Sequence, residues 1–74
     1  MEINDATWKK LSISAWSHRK NARVLGKTMV GAAVISKGNV FGGCNIEHKF
    51  RSHDIHAEIA AISSMIGSGF KKLD

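Results

Sequence analysis

The sequence predicts a small α/β domain in which two helices flank a two-stranded hairpin. Helical spacing of apolar residues marks the start of the chain, an apolar run rich in small residues follows, and a second helical segment ends close to two glycines. The chain has 74 residues, of which 43% are hydrophobic, so it can form at most one domain with a small core. We therefore expect residues 1–74 to form a single partial domain with an incomplete sheet.

The first predicted helix runs from Asn4 to about Asn21. Asp5 can cap its N-terminus, and three residues fall on one face: Trp8, Leu11 and Ala15. Because Trp16 lies at a similar angle to Trp8, we expect both tryptophans to be core or interface anchors. His18 is predicted to be a surface residue.

The hairpin is predicted from the middle of the chain. Met29–Ser36 is almost continuously apolar, which is typical of a strand buried on both faces. Lys37-Gly38-Asn39 indicates a tight turn, and Val40–Asn45 would return antiparallel. Cys44, within the second strand, is expected to be small and half-buried.

A polar loop over residues 46–54 leads to the second predicted helix, which Asp54 can cap and which runs to about Ile66. Its isoleucines form one apolar stripe that we expect to be core: Ile55, Ile59, Ile62 and Ile66. Gly67 and Gly69 would end the helix. This helix resembles the crossover of a strand–helix–strand unit, so Phe70–Asp74 would approach a further, parallel strand.

Composition limits the classes of function. The net charge of +5 permits attraction to phosphate, but the basic residues occur in scattered pairs without interleaved aromatic residues, so a nucleic-acid groove is not expected. The chain starts with polar and acidic residues, and its longest apolar run is too short to cross a bilayer. A single cysteine excludes an internal disulfide and fits a reducing compartment, which favours the cytoplasm.

His56 and Glu58 are the most informative pair of residues for chemistry. They open the second predicted helix, where side chains lean towards the free N-terminal end, so both can reach one point beyond it. A neutral imidazole is a good zinc ligand, and a nearby carboxylate that does not bind the metal can move protons. The alternative is an ordinary helix start, where the dipole favours a glutamate.

Three segments in register carry a resemblance to a known family: Gly31-Ala32-Ala33-Val34, Gly43-Cys44-Asn45-Ile46-Glu47 and His56-Ala57-Glu58. They resemble the N-terminal half of the zinc-dependent cytidine deaminases, over nearly the whole chain. The resemblance implies a cytidine-deaminase-like α/β/α domain in which a zinc hydroxide attacks C4 of cytosine and releases ammonia. His56 would be a zinc ligand, Glu58 the catalytic general acid/base, and Asn45 and Glu47 the residues that bind the sugar of a cytosine nucleoside.

The same resemblance identifies what the chain lacks. It has no proline and one cysteine, so the Pro-Cys-x-x-Cys half of the zinc signature is absent, and with it two of the three ligands. Thr28 stands where the nucleoside branch usually has an aromatic residue, and Ile59 where an arginine is frequent. We expect a truncated deaminase that is inactive alone and that forms a homo-oligomer or takes the missing half from a second chain.

Other functions stay open at this point. A deaminase-derived module without metal would serve binding or assembly through its open sheet edge and unfinished core. Four possible ligands could form a local zinc site that stabilises a small domain: Cys44, His48, His53 and His56. A small basic nucleic-acid binder would depend steeply on salt. Asn45 and Glu47 would then be ordinary loop residues.

Overall fold

The computed structural model describes residues 4–49 and 54–74. The elements are α1 (Asp5–Arg19), β1 (Gly31–Ser36), β2 (Asn39–Cys44) and α2 (Ala57–Gly67). The two strands form an antiparallel, two-stranded sheet, which confirms the predicted α/β class, the order of the elements and the incomplete sheet. In the two described ranges, no helix has both the length and the apolar character needed to cross a membrane.

The hairpin turn is confirmed and is two residues long. Lys37 and Gly38 have φ values of 49° and 81°, and positive φ at both central positions defines the type I′ turn that matches the twist of paired strands. Ser36 pairs with Asn39, so Asn39 already belongs to β2 rather than to the turn. β1 begins at Gly31, two residues after the predicted start.

Each face of the hairpin lies against one helix, because glycines leave out the side chains at the points of contact. A Cβ added to Gly43 would lie 2.5 Å from the backbone nitrogen of Ala61 and 2.8 Å from the carbonyl oxygen of Ala57, both in α2. On the opposite face, a Cβ on Gly31 would overlap the carbonyl oxygen of Ala15 in α1. The result is a three-layer arrangement of helix, hairpin and helix.

The contacts of α1 differ from the prediction in two ways. Asn4, not Asp5, is the N-cap: its side-chain oxygen accepts a hydrogen bond from the Thr7 N–H at 2.9 Å. His18 is half-buried rather than on the surface, with Nδ1 2.8 Å from the carbonyl oxygen of Ser14. The imidazole fits there because Gly42 has no side chain to displace it.

The tryptophans of α1 are not core residues. Trp8 is 58% exposed and Trp16 is 63% exposed, and Arg19 lies over the Trp16 ring at 5.4 Å from its centroid. Backbone atoms of Ala15 and Arg19 make the close contact of α1 with Gly31, and the large rings lie outside it. A role of the tryptophans at an interface stays a prediction.

The expectation that the isoleucine stripe is core is wrong for the described part of the chain. The buried residues of α2 are spaced four apart: Ala57, Ala61 and Met65. Ile59 and Ile66 are 57% and 50% exposed, and Ile62 is half-buried. Because α2 approaches the sheet so closely at Gly43, alanines lie at the point of contact, and the isoleucines turn outward.

Both ends of α2 have defined caps. His56 is the N-cap residue, with an extended backbone, so the predicted cap by Asp54 is wrong; the Asp54 carboxylate instead accepts from the His48 N–H at 2.7 Å. At the other end Gly69 has a φ of 95°. The Phe70 N–H donates to the Met65 carbonyl at 3.1 Å, which is the Schellman pattern and confirms that Gly69 ends the helix.

The last residues lie along the edge of β1 that faces away from β2. The Asp74 N–H donates to the Ile35 carbonyl at 2.9 Å, and the Ser36 hydroxyl donates to the Lys72 carbonyl. The end of the chain therefore lies beside the open edge of β1, and its approach to a further, parallel strand stays a prediction. The Asp74 carboxylate also accepts from the Lys37 N–H at 3.0 Å, which fixes the hairpin turn.

We expect Gly43→Ala to lower the free energy of unfolding by about 1–3 kcal/mol, because the new methyl group must push α2 away from β2. Gly67→Ala is the matched control: its Cβ would meet nothing within 4 Å, so stability should stay the same or rise by up to ~1 kcal/mol. Urea titration followed by circular dichroism measures both. A Gly43→Ala chain as stable as the parent would contradict the close approach.

Candidate functional site

The predicted site residues come from two segments that the fold brings side by side. Asn45 and Glu47 directly follow β2, and His56 and Glu58 stand at the start of α2. Between them the Ile46 N–H donates to the Ile55 carbonyl, and the Ile55 N–H donates to the Ile46 carbonyl, both at 2.8 Å. This antiparallel bridge places the chain after β2 next to the chain entering α2.

His56 and Glu58 both lie on the surface at the free N-terminal end of α2. The His56 side chain makes no capping hydrogen bond, so its imidazole is not used to hold the helix end. Ala57 between them is 1% exposed and packs against the sheet, which anchors the first turn. Backbone N–H groups at this end favour negative charge nearby.

The Asn45 side chain binds the segment that enters β1. Its oxygen accepts from the Val30 N–H at 2.9 Å, and its Nδ2 donates to the Thr28 carbonyl at 3.1 Å. Both ends of the amide group therefore have protein partners. This link between positions 28–30 and 45 is not visible in the sequence, because it joins residues far apart in the chain.

The Glu47 carboxylate binds the loop between α1 and β1. One of its oxygens accepts from the Leu25 N–H at 2.7 Å and from the Gly26 N–H at 3.2 Å. Asn45 and Glu47 are two positions apart in extended chain, so they project to the same side. That spacing is the one signal by which the sequence could have indicated a shared partner.

The described donors do not make a complete metal site. Across residues 4–49 and 54–74, no group of three or more His, Cys, Asp or Glu side chains is placed to hold a metal ion. Cys44 is half-buried, as predicted, and pairs with Gly31 on the sheet face opposite to that of Gly43 and α2. His53 lies outside the described residues, so the local zinc site of Cys44, His48, His53 and His56 stays a prediction.

A catalytic zinc normally has three protein ligands, whereas this chain offers His56 and only one cysteine. The residues present therefore do not fit the metal by themselves.

Comparisons with known proteins identify the relatives of this arrangement. Residues 5–74 match the family model of the cytidine and deoxycytidylate deaminase zinc-binding region. The fold is similar to that of cytidine deaminase from Mycobacterium tuberculosis, with a TM-score of 0.84, 30% identity and 93% of this chain covered. The enzyme from Burkholderia pseudomallei gives a TM-score of 0.76, 31% identity and 84% coverage. The enzyme from Mycobacterium leprae gives 0.83, 26% and 97%.

The chain spans little more than half of these relatives. It covers 58% of the M. tuberculosis chain, 50% of the B. pseudomallei chain and 60% of the M. leprae chain. A comparison with curated proteins finds no match.

We expect the isolated chain to bind zinc weakly, because one matching imidazole cannot hold the ion tightly. Calorimetric titration with zinc should give the same weak binding for the parent and for Cys44→Ser, and weaker binding still for His56→Ala. One tightly bound zinc ion per chain that is lost in Cys44→Ser would instead support the local four-ligand site.

Proposed function

Because this chain belongs to the cytidine and deoxycytidylate deaminase family, we propose that it is the N-terminal half of a zinc-dependent hydrolytic deaminase of cytidine or a related cytosine nucleoside. Family and fold support a deaminase-type function. The observation that carries the finer proposal is the bridge between Ile46 and Ile55, which sets the Asn45–Glu47 segment beside the His56–Glu58 helix start.

The proposed roles follow from position and chemistry. His56 would contribute one zinc ligand from an exposed helix end at which its side chain has no capping duty. Glu58, exposed in the first turn of the same helix, would be the general acid/base. Asn45 and Glu47 would contact the sugar hydroxyls, a task suited to paired amide and carboxylate groups. The other zinc ligands must come from outside these residues.

We infer that residues 1–74 act as a partial domain that needs the half with the Pro-Cys-x-x-Cys motif, from the same polypeptide or from a second chain. A homo-oligomer of residues 1–74 brings no Pro-Cys-x-x-Cys motif, because each copy has one cysteine and no proline. The edge of β1 beside Asp74 is the place at which a further strand would add. The lone cysteine and the absence of a long apolar run favour the cytoplasm as the location of the complex.

We expect the 74-residue chain alone to release no ammonia from cytidine in the presence of zinc, and activity to appear with a polypeptide that carries the Pro-Cys-x-x-Cys half. In that complex Glu58→Gln should lower turnover by about 10²–10⁴-fold, since the amide cannot transfer the proton. Lys9→Gln, on the exposed surface of α1, is the control and should retain activity. Turnover by the isolated chain that Glu58→Gln abolishes would contradict the need for a second half.

A second candidate function is a non-catalytic assembly module without metal, and the outward face of α2 favours it. We call Ile59, Ile62 and Ile66 the isoleucine face. These residues line a groove of 440 Å³ together with Ser63 and Gly67, and none of the residues lining it is charged. An exposed apolar surface of this kind is typical of an interaction site. Ser63 and Gly67 are small enough to let another helix approach.

We expect the chain to self-associate and the double variant Ile59→Lys with Ile66→Lys to weaken that association by at least about tenfold, because two charges would enter an apolar contact. Ile13→Lys is the matched control, since Ile13 is a similarly exposed isoleucine on α1. Sedimentation velocity over a range of concentrations measures the effect. A well-folded parent monomer at all concentrations would contradict this candidate.

A further inference from the structure

The segment between α1 and β1 is held in place by the two residues that the resemblance assigns to the sugar. Residues 23–30 contain no helix and no strand of their own apart from one bridging residue, Arg23. The Arg23 N–H donates to the Asn45 carbonyl at 3.2 Å, and the Glu47 N–H donates to the Arg23 carbonyl at 2.8 Å. One end of the segment is thus paired with the backbone that carries Asn45 and Glu47.

Side chains hold the rest of the segment. The Glu47 carboxylate accepts two consecutive backbone N–H groups, those of Leu25 and Gly26, on a single oxygen. Hydrogen bonds to an ionised carboxylate are stronger than those between neutral groups. The Asn45 amide then holds Thr28 and Val30 through one acceptor and one donor. These two side chains bind four residues of the segment, and two further bonds support it: the Asn45 N–H donates to the Val30 carbonyl at 3.1 Å and Arg19 Nε donates to the Met29 carbonyl at 3.0 Å.

We propose that Asn45 and Glu47 are positioning residues, which clamp residues 23–30 and thereby shape the groove next to Glu47 before any ligand binds. That groove has a volume of 330 Å³ and is lined by Ala22, Arg23, Val24, Leu25 and Glu47. Its wall is the segment that Glu47 holds. The inference goes beyond the proposed function, because it concerns the chain without ligand and stands whether or not the complex is a deaminase.

The clamp also changes what a sugar would meet. An amide oxygen can accept two hydrogen bonds and an amide NH₂ can donate two, so Asn45 has one of each in addition to its bonds to the segment. A sugar hydroxyl group would therefore bind side chains that are already hydrogen-bonded to the loop. Variants of Asn45 and Glu47 should alter the loop as well as any ligand contact.

The test is amide hydrogen exchange of the full 74-residue chain, read by NMR residue by residue. Glu47→Ala should speed exchange at Leu25 and Gly26 by about tenfold or more, because their acceptor is lost, while Phe41 in β2 and Asp74 at the edge of β1 keep their rates. Glu47→Gln should give an intermediate rate, since its carbonyl oxygen can still accept both N–H groups. Asn45→Ala should act in the same selective way on Val30.

Glu58→Gln is the matched control, because it changes the other exposed carboxyl group near the site without touching the loop; the exchange rates of Leu25 and Gly26 should not change. Trypsin should cut after Lys27 faster in Glu47→Ala than in the control. If Glu47→Ala raises exchange throughout the chain, it has destabilised the whole fold, and the milder Glu47→Gln is then the test. A selective increase at Leu25 and Gly26 in Glu47→Gln supports the clamp. Unchanged rates there and at Val30, with the hairpin intact, would overturn it.

Discussion

The close approach of α2 to the sheet at Gly43 determines how the helix packs and where its N-terminus lies. The missing side chain lets the helix backbone pack against β2, and that contact admits Ala57 and Ala61 but not isoleucine. It therefore decides which face of α2 is inside. It also sets the N-terminus of the helix, with His56 and Glu58, at the end of β2 where the polar residues follow.

Two kinds of contact form the candidate site: a backbone bridge and side-chain hydrogen bonds between residues far apart in the chain. A local backbone bridge between Ile46 and Ile55 aligns the two motif-bearing segments. Long-range hydrogen bonds from Asn45 and Glu47 then bring in the loop that precedes β1. The same two side chains thus combine a structural duty in this chain with the sugar contact proposed for the complete enzyme.

The molecule is also incomplete in the physical sense. Its buried apolar side chains among the described residues are few: Ile35, Ala57, Ala61 and Met65. A two-stranded sheet with an open edge at β1 and an outward isoleucine face leaves apolar surface and backbone groups that further strands and helices would cover. The match to little more than half the length of solved deaminases agrees with that state.

The order of the elements, the turn at Lys37-Gly38 and the motif residues could be predicted from the sequence, because spacing, turn chemistry and short motifs are local. The caps at Asn4 and His56 could not be predicted, since Asn4 and Asp5 are both good cap residues and the Asp54 carboxylate binds the His48 N–H instead of the helix. The spacing of the isoleucines predicts an apolar stripe along α2, but it does not predict whether this stripe faces the sheet. Periodicity shows that a helix has an apolar face, but only the space that Gly43 leaves in the folded chain decides which face turns inward, and only the fold brings Glu47 to Leu25.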